Sequence, residues 1–154
     1  MKKSVLVLLI LSITSVMFAE RRISQKKLPQ NAQDFISEHF PSYKIRHIEI
    51  DDDLYDVKLD YGLKIEFNID GTWEEISCRR GLPTTMLPEV ITDFLLMTYP
   101  NVNVVKIEQN INNFYEVELK NGLELYFRLS GELINEMFNM CVYVLSLHHN
   151  NIKY

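Results

Sequence analysis

The segment Tyr115–Gly131, YEVELKNGLELYFRLSG, alternates apolar and charged residues on both sides of Asn121-Gly122. Side chains alternate between faces along a strand, so Tyr115, Val117 and Leu119 point one way and Glu116, Glu118 and Lys120 the other. Beyond the turn, Leu123, Leu125, Phe127 and Leu129 share a face opposite Glu124, Tyr126 and Arg128. The pattern specifies a β-hairpin with one buried and one wet face. Asn-Gly suits a two-residue turn in which both central residues take positive φ. The same hairpin occurs earlier, as Tyr55–Gly71, YDVKLDYGLKIEFNIDG, turning at Tyr61-Gly62. A tyrosine resists positive φ, so this turn is expected to differ from its Asn-Gly counterpart.

The repetition extends beyond the hairpins. At a shift of 59 residues, Leu28, Pro29, Asp34, Phe35 and Pro41 match Leu87, Pro88, Asp93, Phe94 and Pro100. After one inserted residue in the 110–113 loop, the shift is 60, and Tyr55, Val57, Leu59, Gly62, Leu63, Phe67 and Gly71 match Tyr115, Val117, Leu119, Gly122, Leu123, Phe127 and Gly131. In the first copy, residues 28–80, Pro29 fits the first helical position. Ala32, Phe35, Ile36 and Phe40 then fall on one helical stripe, and Pro41 ends the helix. A strand follows over Tyr43–Ile50, its alternation broken as by a bulge at Arg46-His47. Asp70-Gly71 turns the chain into a fourth strand, Thr72–Arg80. Residues 81–86, GLPTTM, connect the copies. In the second copy, residues 87–136, the helix carries Val90, Ile91, Phe94, Leu95 and Met97 as its apolar members. The fold class is therefore α+β: a tandem repeat of a helix plus a four-stranded antiparallel sheet, with the helix packed on one sheet face. A unit of about 60 residues is marginal alone. The copies are thus expected to share an interface or one continuous sheet.

The ends carry other information. Residues 1–19 read as a secretory signal peptide: Lys2 and Lys3, an apolar run Val5–Ile13, and a cut after Ala19. The run is short for a membrane span, which favours cleavage over a retained anchor. No span is then expected in the mature chain, which is expected to be periplasmic or secreted. Residues 20–27 read as a flexible N-terminus. Losing two lysines moves the net charge from −5 to −7, and such an acidic chain repels nucleic-acid phosphates. The tail, residues 137–154, is mostly apolar up to Leu147 and has little counterpart in the first copy. It either extends the last strand, packs across the repeat interface or mediates association. Cys78 and Cys141 are too few for a disulfide scaffold and match no metal motif. Export permits a bridge between them, and two small core residues are the plainer reading.

The residue chemistry does not indicate an enzyme. There is no Gly-rich phosphate loop, HExxH or GxSxG motif. His39, His47, His148 and His149 are scattered, and the hairpin acids Asp56, Glu66, Glu116, Glu118 and Glu124 lie on wet strand faces. No catalytic residue, metal ligand or cofactor is assigned. The mixed-charge face suits association with a protein partner. Its candidate contact residues are Lys64, Glu66, Arg128 and the aromatic Tyr126, with Tyr61 at a turn and Trp73 at a strand start. Trp73 is also a candidate for core packing. The alternative class is a small-ligand or calcium-binding exported protein, motivated by the loop Asp51-Asp52-Asp53, although the glycine and distal glutamate of an EF-hand loop are missing.

The combination of Leu28-Pro29, Phe40-Pro41, Ile48-Glu49, Tyr55-Asp56-Val57, Gly62, Ile65-Glu66-Phe67, Asp70-Gly71 and Trp73 resembles the PepSY-like family of exported Bacteroidetes proteins, similar in fold to beta-lactamase inhibitory protein. The second copy repeats it at Leu87-Pro88, Tyr99-Pro100, Ile107-Glu108, Tyr115-Glu116-Val117, Gly122, Phe127 and Gly131, with Ser130 in place of the aspartate before the last glycine. The resemblance covers Leu28 to about Glu136 and implies a non-catalytic protein that presents a sheet face to a partner. Inhibition or regulation of an envelope enzyme such as a peptidase is the activity it suggests. It supplies no catalytic or contact residues to carry over.

Overall fold

The computed structural model of the protein describes residues 21–51, 53–110 and 113–138. The expected signal peptide, Asp52 of the acidic loop, and Cys141 with the tail from residue 139 lie outside the described residues. Among the described residues, two α-helices, α1 (Gln30–His39) and α2 (Glu89–Thr98), accompany nine strands. These are β1 (Arg21–Arg22), β2 (Ile45–Asp51), β3 (Leu54–Leu59), β4 (Lys64–Asn68), β5 (Trp73–Ser77), β6 (Val104–Asn110), β7 (Phe114–Leu119), β8 (Leu123–Arg128) and β9 (Leu133–Phe138). All nine form one antiparallel sheet in sequence order. The sheets expected for the two halves are therefore one: Glu75, Ile76 and Ser77 of β5 pair with Glu108, Ile107 and Lys106 of β6. The bulge expected at Arg46-His47 is present as a register shift between Ile45 and His47, and a matching shift lies between Val104 and Lys106.

Each helix lays an apolar stripe on the same face of the sheet. Ala32, Ile36 and Phe40 meet Ile48, Val57, Ile65 and Phe67; Ile91 and Leu95 meet Ile107, Val117, Leu125 and Phe127. Burying each phenylalanine contributes about 1.5–3 kcal/mol. Trp73, Leu82 and Met86 pack against both clusters and join them. The Trp73 ring stacks between Phe35, at 6.1 Å, and Tyr115, at 6.3 Å. His39 sits against Phe35 one turn away, with centroids 4.5 Å apart, a structural role at the helix end.

Two glycines fix where the helices start. Gly71 and Gly131 have φ of 84° and 89°, in the region that side chains with a Cβ disfavour. A Cβ on Gly71 would lie 2.0 Å from Asn31 Oδ1, and one on Gly131 2.0 Å from Val90 Cγ1. Each strand-to-strand turn thus seats the first turn of a helix. Asn31 Nδ2 also donates to the Asp70 carbonyl at 2.9 Å.

Several local expectations are corrected. The two turns differ, as expected, but it is Tyr61 and Gly62 that both take positive φ, 61° and 79°, whereas at Asn121-Gly122 only Gly122 does. Leu63 N–H donates to the Asp60 carbonyl in the first turn, and Gly122 N–H to the Leu119 carbonyl in the second. The second turn therefore begins one residue earlier, and Asn121 uses its side chain instead, its Oδ1 accepting from Leu123 N–H at 3.2 Å. Val90 and Met97, counted among the apolar members of α2, are exposed, Met97 by 84%. Leu129, expected to face inward, lies beyond the end of β8 and is also exposed.

Candidate functional site

Among the described residues, both α-helices lie on one face of the sheet, and the other face carries none. Strand pairing lines up a transverse row on that outer face: Glu49, Asp56, Glu66, Glu75, Glu108, Glu116, Tyr126 and Asn135, each on the next strand. The adjoining row is His47, Lys58, Lys64, Ser77, Lys106, Glu118, Glu124 and Met137. Adjacent side chains in such rows are close enough to pair or repel.

In the first half the rows compensate each other. Glu49 is 5% exposed, and its carboxylate accepts from Lys58 Nζ at 2.5 Å and His47 Nε2 at 2.9 Å. The Lys58 bond, then the His47 bond, hold its pKa down to about 2 against the effect of burial. Lys64 Nζ lies 2.6 Å from Glu66 and 3.2 Å from Asp56. Burial opposes the Lys64 charge, but these bonds outweigh it and raise the pKa.

From β5 into the second half, acids predominate. Over β5–β8 the two rows carry Glu75, Glu108, Glu116, Glu118 and Glu124 around Lys106, the one cation in them. Lys106 Nζ reaches Glu108 at 2.9 Å and Glu75 at 3.2 Å. Burial works against its charge, and the two carboxylates raise its pKa nonetheless. Glu116 has a raised pKa, from burial first; Lys106 opposes the shift, and Glu108, Glu124 and Glu118 reinforce it. Glu118 is raised by burial and by Glu124.

Beside these glutamates, toward β9, the outer face turns apolar. Phe114, Tyr126, Ile134, Asn135 and Met137 line a shallow hollow of about 290 Å³. Phe114 packs edge-on to Tyr126, centroids 6.0 Å apart. The Tyr126 hydroxyl donates to Glu124 Oε2 at 3.0 Å. Burial, then that bond and the neighbouring acids, push its pKa up to about 12. Tyr126 is thus the junction between the acidic rows and the apolar hollow.

The sequence-derived contact residues are dispersed over this frame. Lys64 and Glu66 belong to the compensated half, and Tyr126 lines the hollow. Arg128, exposed, pairs with Glu132 at 3.0 Å, one row out and opposite Phe114. Tyr61 is 64% exposed at a hairpin tip, with Tyr43 edge-on at 5.9 Å and the Arg80 guanidinium 5.6 Å from its ring centroid. Trp73 lies on the helix side, filling the junction of the two cores. Residue reading missed Glu49, Glu75, Glu108, Lys106, Phe114, Ile134 and Met137. Their alternation was visible, but their alignment depends on the β5–β6 pairing and the bulges. Cys78 is buried, with a free thiol whose Sγ lies 3.8 Å from the Tyr61 carbonyl.

A family model described as "putative beta-lactamase-inhibitor-like, PepSY-like" matches the chain over residues 16–63 and again over 53–135. Among solved structures, a "putative calcium-regulated periplasmic protein" from Bacteroides thetaiotaomicron is 34% identical, with a TM-score of 0.72 over 77% of this chain and 96% of its own. Two proteins from Bacteroides vulgatus, each described as a "putative periplasmic protein", are 32% and 35% identical, each with a TM-score of 0.70, over 79% and 77% of this chain and 98% of theirs. No curated protein matches the chain. Among the described residues, no helix is long and apolar enough to cross a membrane.

Proposed function

Since the chain belongs to the beta-lactamase-inhibitor-like, PepSY-like family, we propose that it is an exported, non-catalytic protein-binding module that presents the outer face of its sheet to a partner. Inhibition or regulation of an envelope enzyme, such as a peptidase, is the consequence we assign to that binding. We further read the halves as two copies of one helix-plus-four-strand unit. One observation carries the proposal: the second half of the outer face holds a glutamate-rich block beside an aromatic-lined hollow. The fold does not require either, because the matched face of the first half is charge-compensated. Export is supported by the periplasmic assignment of the similar structures.

The test is crosslinking of the purified protein in envelope extract, alongside Tyr126→Ala and Tyr61→Ala variants, followed by assay of any captured hydrolase. A specific partner lost with Tyr126→Ala supports the proposal, and reduced turnover of that partner supports the inhibitory part. Absence of any partner, or a partner indifferent to Tyr126→Ala, overturns it. The second reading, calcium or small-ligand binding, draws on the similarity to the B. thetaiotaomicron protein described as calcium-regulated. Among the described residues no three His, Cys, Asp or Glu side chains gather as an ion site. A thermal melt with and without calcium separates the two, and an unchanged Tm is expected.

A further inference from the structure

The hollow at β7–β9 is built from positions whose first-half counterparts are mostly charged or polar. At the shift of 60, Tyr126, Ile134 and Met137 stand where Glu66, Glu74 and Ser77 stand, and Phe114 stands where Leu54 does. In the next row the exchange runs in charge: Glu118 and Glu124 replace Lys58 and Lys64. The hollow therefore combines an apolar floor, open on one side, with carboxylates along its inner rim. Ile134 and Met137 are each about half exposed, 49% and 48%, so the floor is not covered by the described fold. Its volume of about 290 Å³ is at the lower limit of small-molecule sites, about 300–1,000 Å³. That suits one large side chain of a polypeptide better than an enclosed ligand.

Resting on the protein-binding reading above, we infer that this hollow receives a large apolar side chain of a partner polypeptide whose flanking residues are Lys or Arg. Charge complementarity selects the occupant. An apolar anchor seated beside Tyr126 brings its neighbours over Glu116, Glu118 and Glu124. Lys106 is committed to Glu75 and Glu108. An acidic partner would add like charges to a block that already raises the pKa of its own members; a basic one relieves it. The anchor supplies apolar burial at the centre and the rim supplies selectivity, the usual division in protein interfaces.

The test is fluorescence anisotropy with three short labelled peptides: alternating Lys and Leu, alternating Glu and Leu, and alternating Lys and Ser. The Lys–Leu probe is expected to bind about tenfold or more tighter than either of the others. Its affinity is expected to fall as salt rises from about 0.05 M to about 0.5 M, as exposed charges are screened. Placing the first-half residues in the second half, Glu118→Lys with Glu124→Lys, is expected to weaken it about tenfold, and Met137→Ser with Tyr126→Glu similarly. The same charge change on the helix side, Glu38→Lys with Asp93→Lys, both exposed, is expected to leave it within about twofold. Circular dichroism confirms that each variant is folded, and the salt titration of the unaltered protein stands where one is not. Equal binding of the Glu–Leu and Lys–Leu probes, or undiminished binding by the charge-exchanged variant, overturns the inference. A partner captured from extract that is lost with Tyr126→Ala but indifferent to Glu118→Lys with Glu124→Lys overturns it too, and leaves the protein-binding reading standing.

Discussion

Set side by side, the halves of this sheet keep their interiors and exchange their surfaces. Phe67 and Phe127, Ile65 and Leu125, and Val57 and Val117 are matched pairs, all fully buried. Outside, Lys58 and Lys64 correspond to Glu118 and Glu124, and Glu66 corresponds to Tyr126. The helices differ in the same direction: Asn31, Ser37 and Glu38 on α1 correspond to Val90, Leu96 and Met97 on α2, all exposed. A continuous sheet explains how this is tolerated. Once β5 pairs with β6, neither half must be stable alone, so one can keep a self-compensated surface while the other carries more acidic and exposed apolar groups.

If the interiors are equivalent, their loss should cost the same. Phe67→Ala and Phe127→Ala are each expected to destabilise by about 3–5 kcal/mol in urea unfolding. Trp73→Ala is expected to match them, because it removes the shared contact to both clusters. Were Phe127→Ala much cheaper than Phe67→Ala, the second half would be the looser one, and its surface divergence would reflect relaxed packing.

The turn glycines sharpen the comparison. Gly71→Ala and Gly131→Ala both place a Cβ at unfavourable φ, at about 1 kcal/mol or more. At Gly71 the Cβ also approaches Pro29 Cβ to 2.6 Å, and at Gly131 its nearest neighbours are all atoms of Val90. Gly71→Ala is therefore expected to cost more, by about 1 kcal/mol. Val90→Ala should recover part of the loss at Gly131. Melting curves of the single and double variants measure both.

How far the sequence carried the reading follows from the range of each interaction. Alternation at Val117, Leu119, Leu125 and Phe127 identified the buried face because strand period is local. The α1 stripe at Ala32, Ile36 and Phe40 was equally local. On α2 half the residues are apolar or more, so periodicity could not separate Ile91 and Leu95 from Val90 and Met97; only the position of the sheet does. Glu49 was hidden for another reason. It lies between isoleucines on a bulged strand, and the lysine that neutralises it arrives from β3 by register. The hollow was illegible because β9 borders it, and alternation in Leu133–Phe138 does not reveal that Met137 shares a face with Tyr126.

Proton linkage provides the next contrast, since the two halves should respond to pH with opposite sign. Glu49 is held near pKa 2, below its ordinary 4.5. Its contribution to stability is present above about pH 4.5 and is lost as pH falls through about 2. Glu116 and Glu118 are raised. Their contribution is present below the ordinary carboxylate range and is lost as pH rises through their raised values. In melts across pH, Glu49→Gln should lower Tm most above pH 4.5 and converge on the unaltered protein toward pH 2. Glu118→Gln should do the reverse, gaining Tm relative to the unaltered protein as pH rises. Parallel curves for the two variants would remove the electrostatic asymmetry on which the outer face is distinguished.

The smallest expected effect lies at the hairpin tips, where the halves exchange turn geometry. Tyr61 holds φ of 61°, a region costly to a bulky residue, while Asn121, better suited to it, does not take positive φ. Tyr61 is held by flanking groups, the Tyr43 ring and the Arg80 guanidinium. Those contacts offset the strain, so Tyr61→Asn is expected to change stability by less than about 1 kcal/mol, with a gain if strain dominates and a loss if the ring contacts do. Asn121→Tyr removes the side-chain bond to Leu123 N–H without any relief of φ, and should cost about 0.5–1.5 kcal/mol. A doubly exchanged chain discriminates further. The tips are a hairpin apart in separate halves, so the two effects should add within about 0.5 kcal/mol. Non-additivity would mean that the tips communicate through the shared sheet, which would make turn geometry a property of the whole sheet and not of each half.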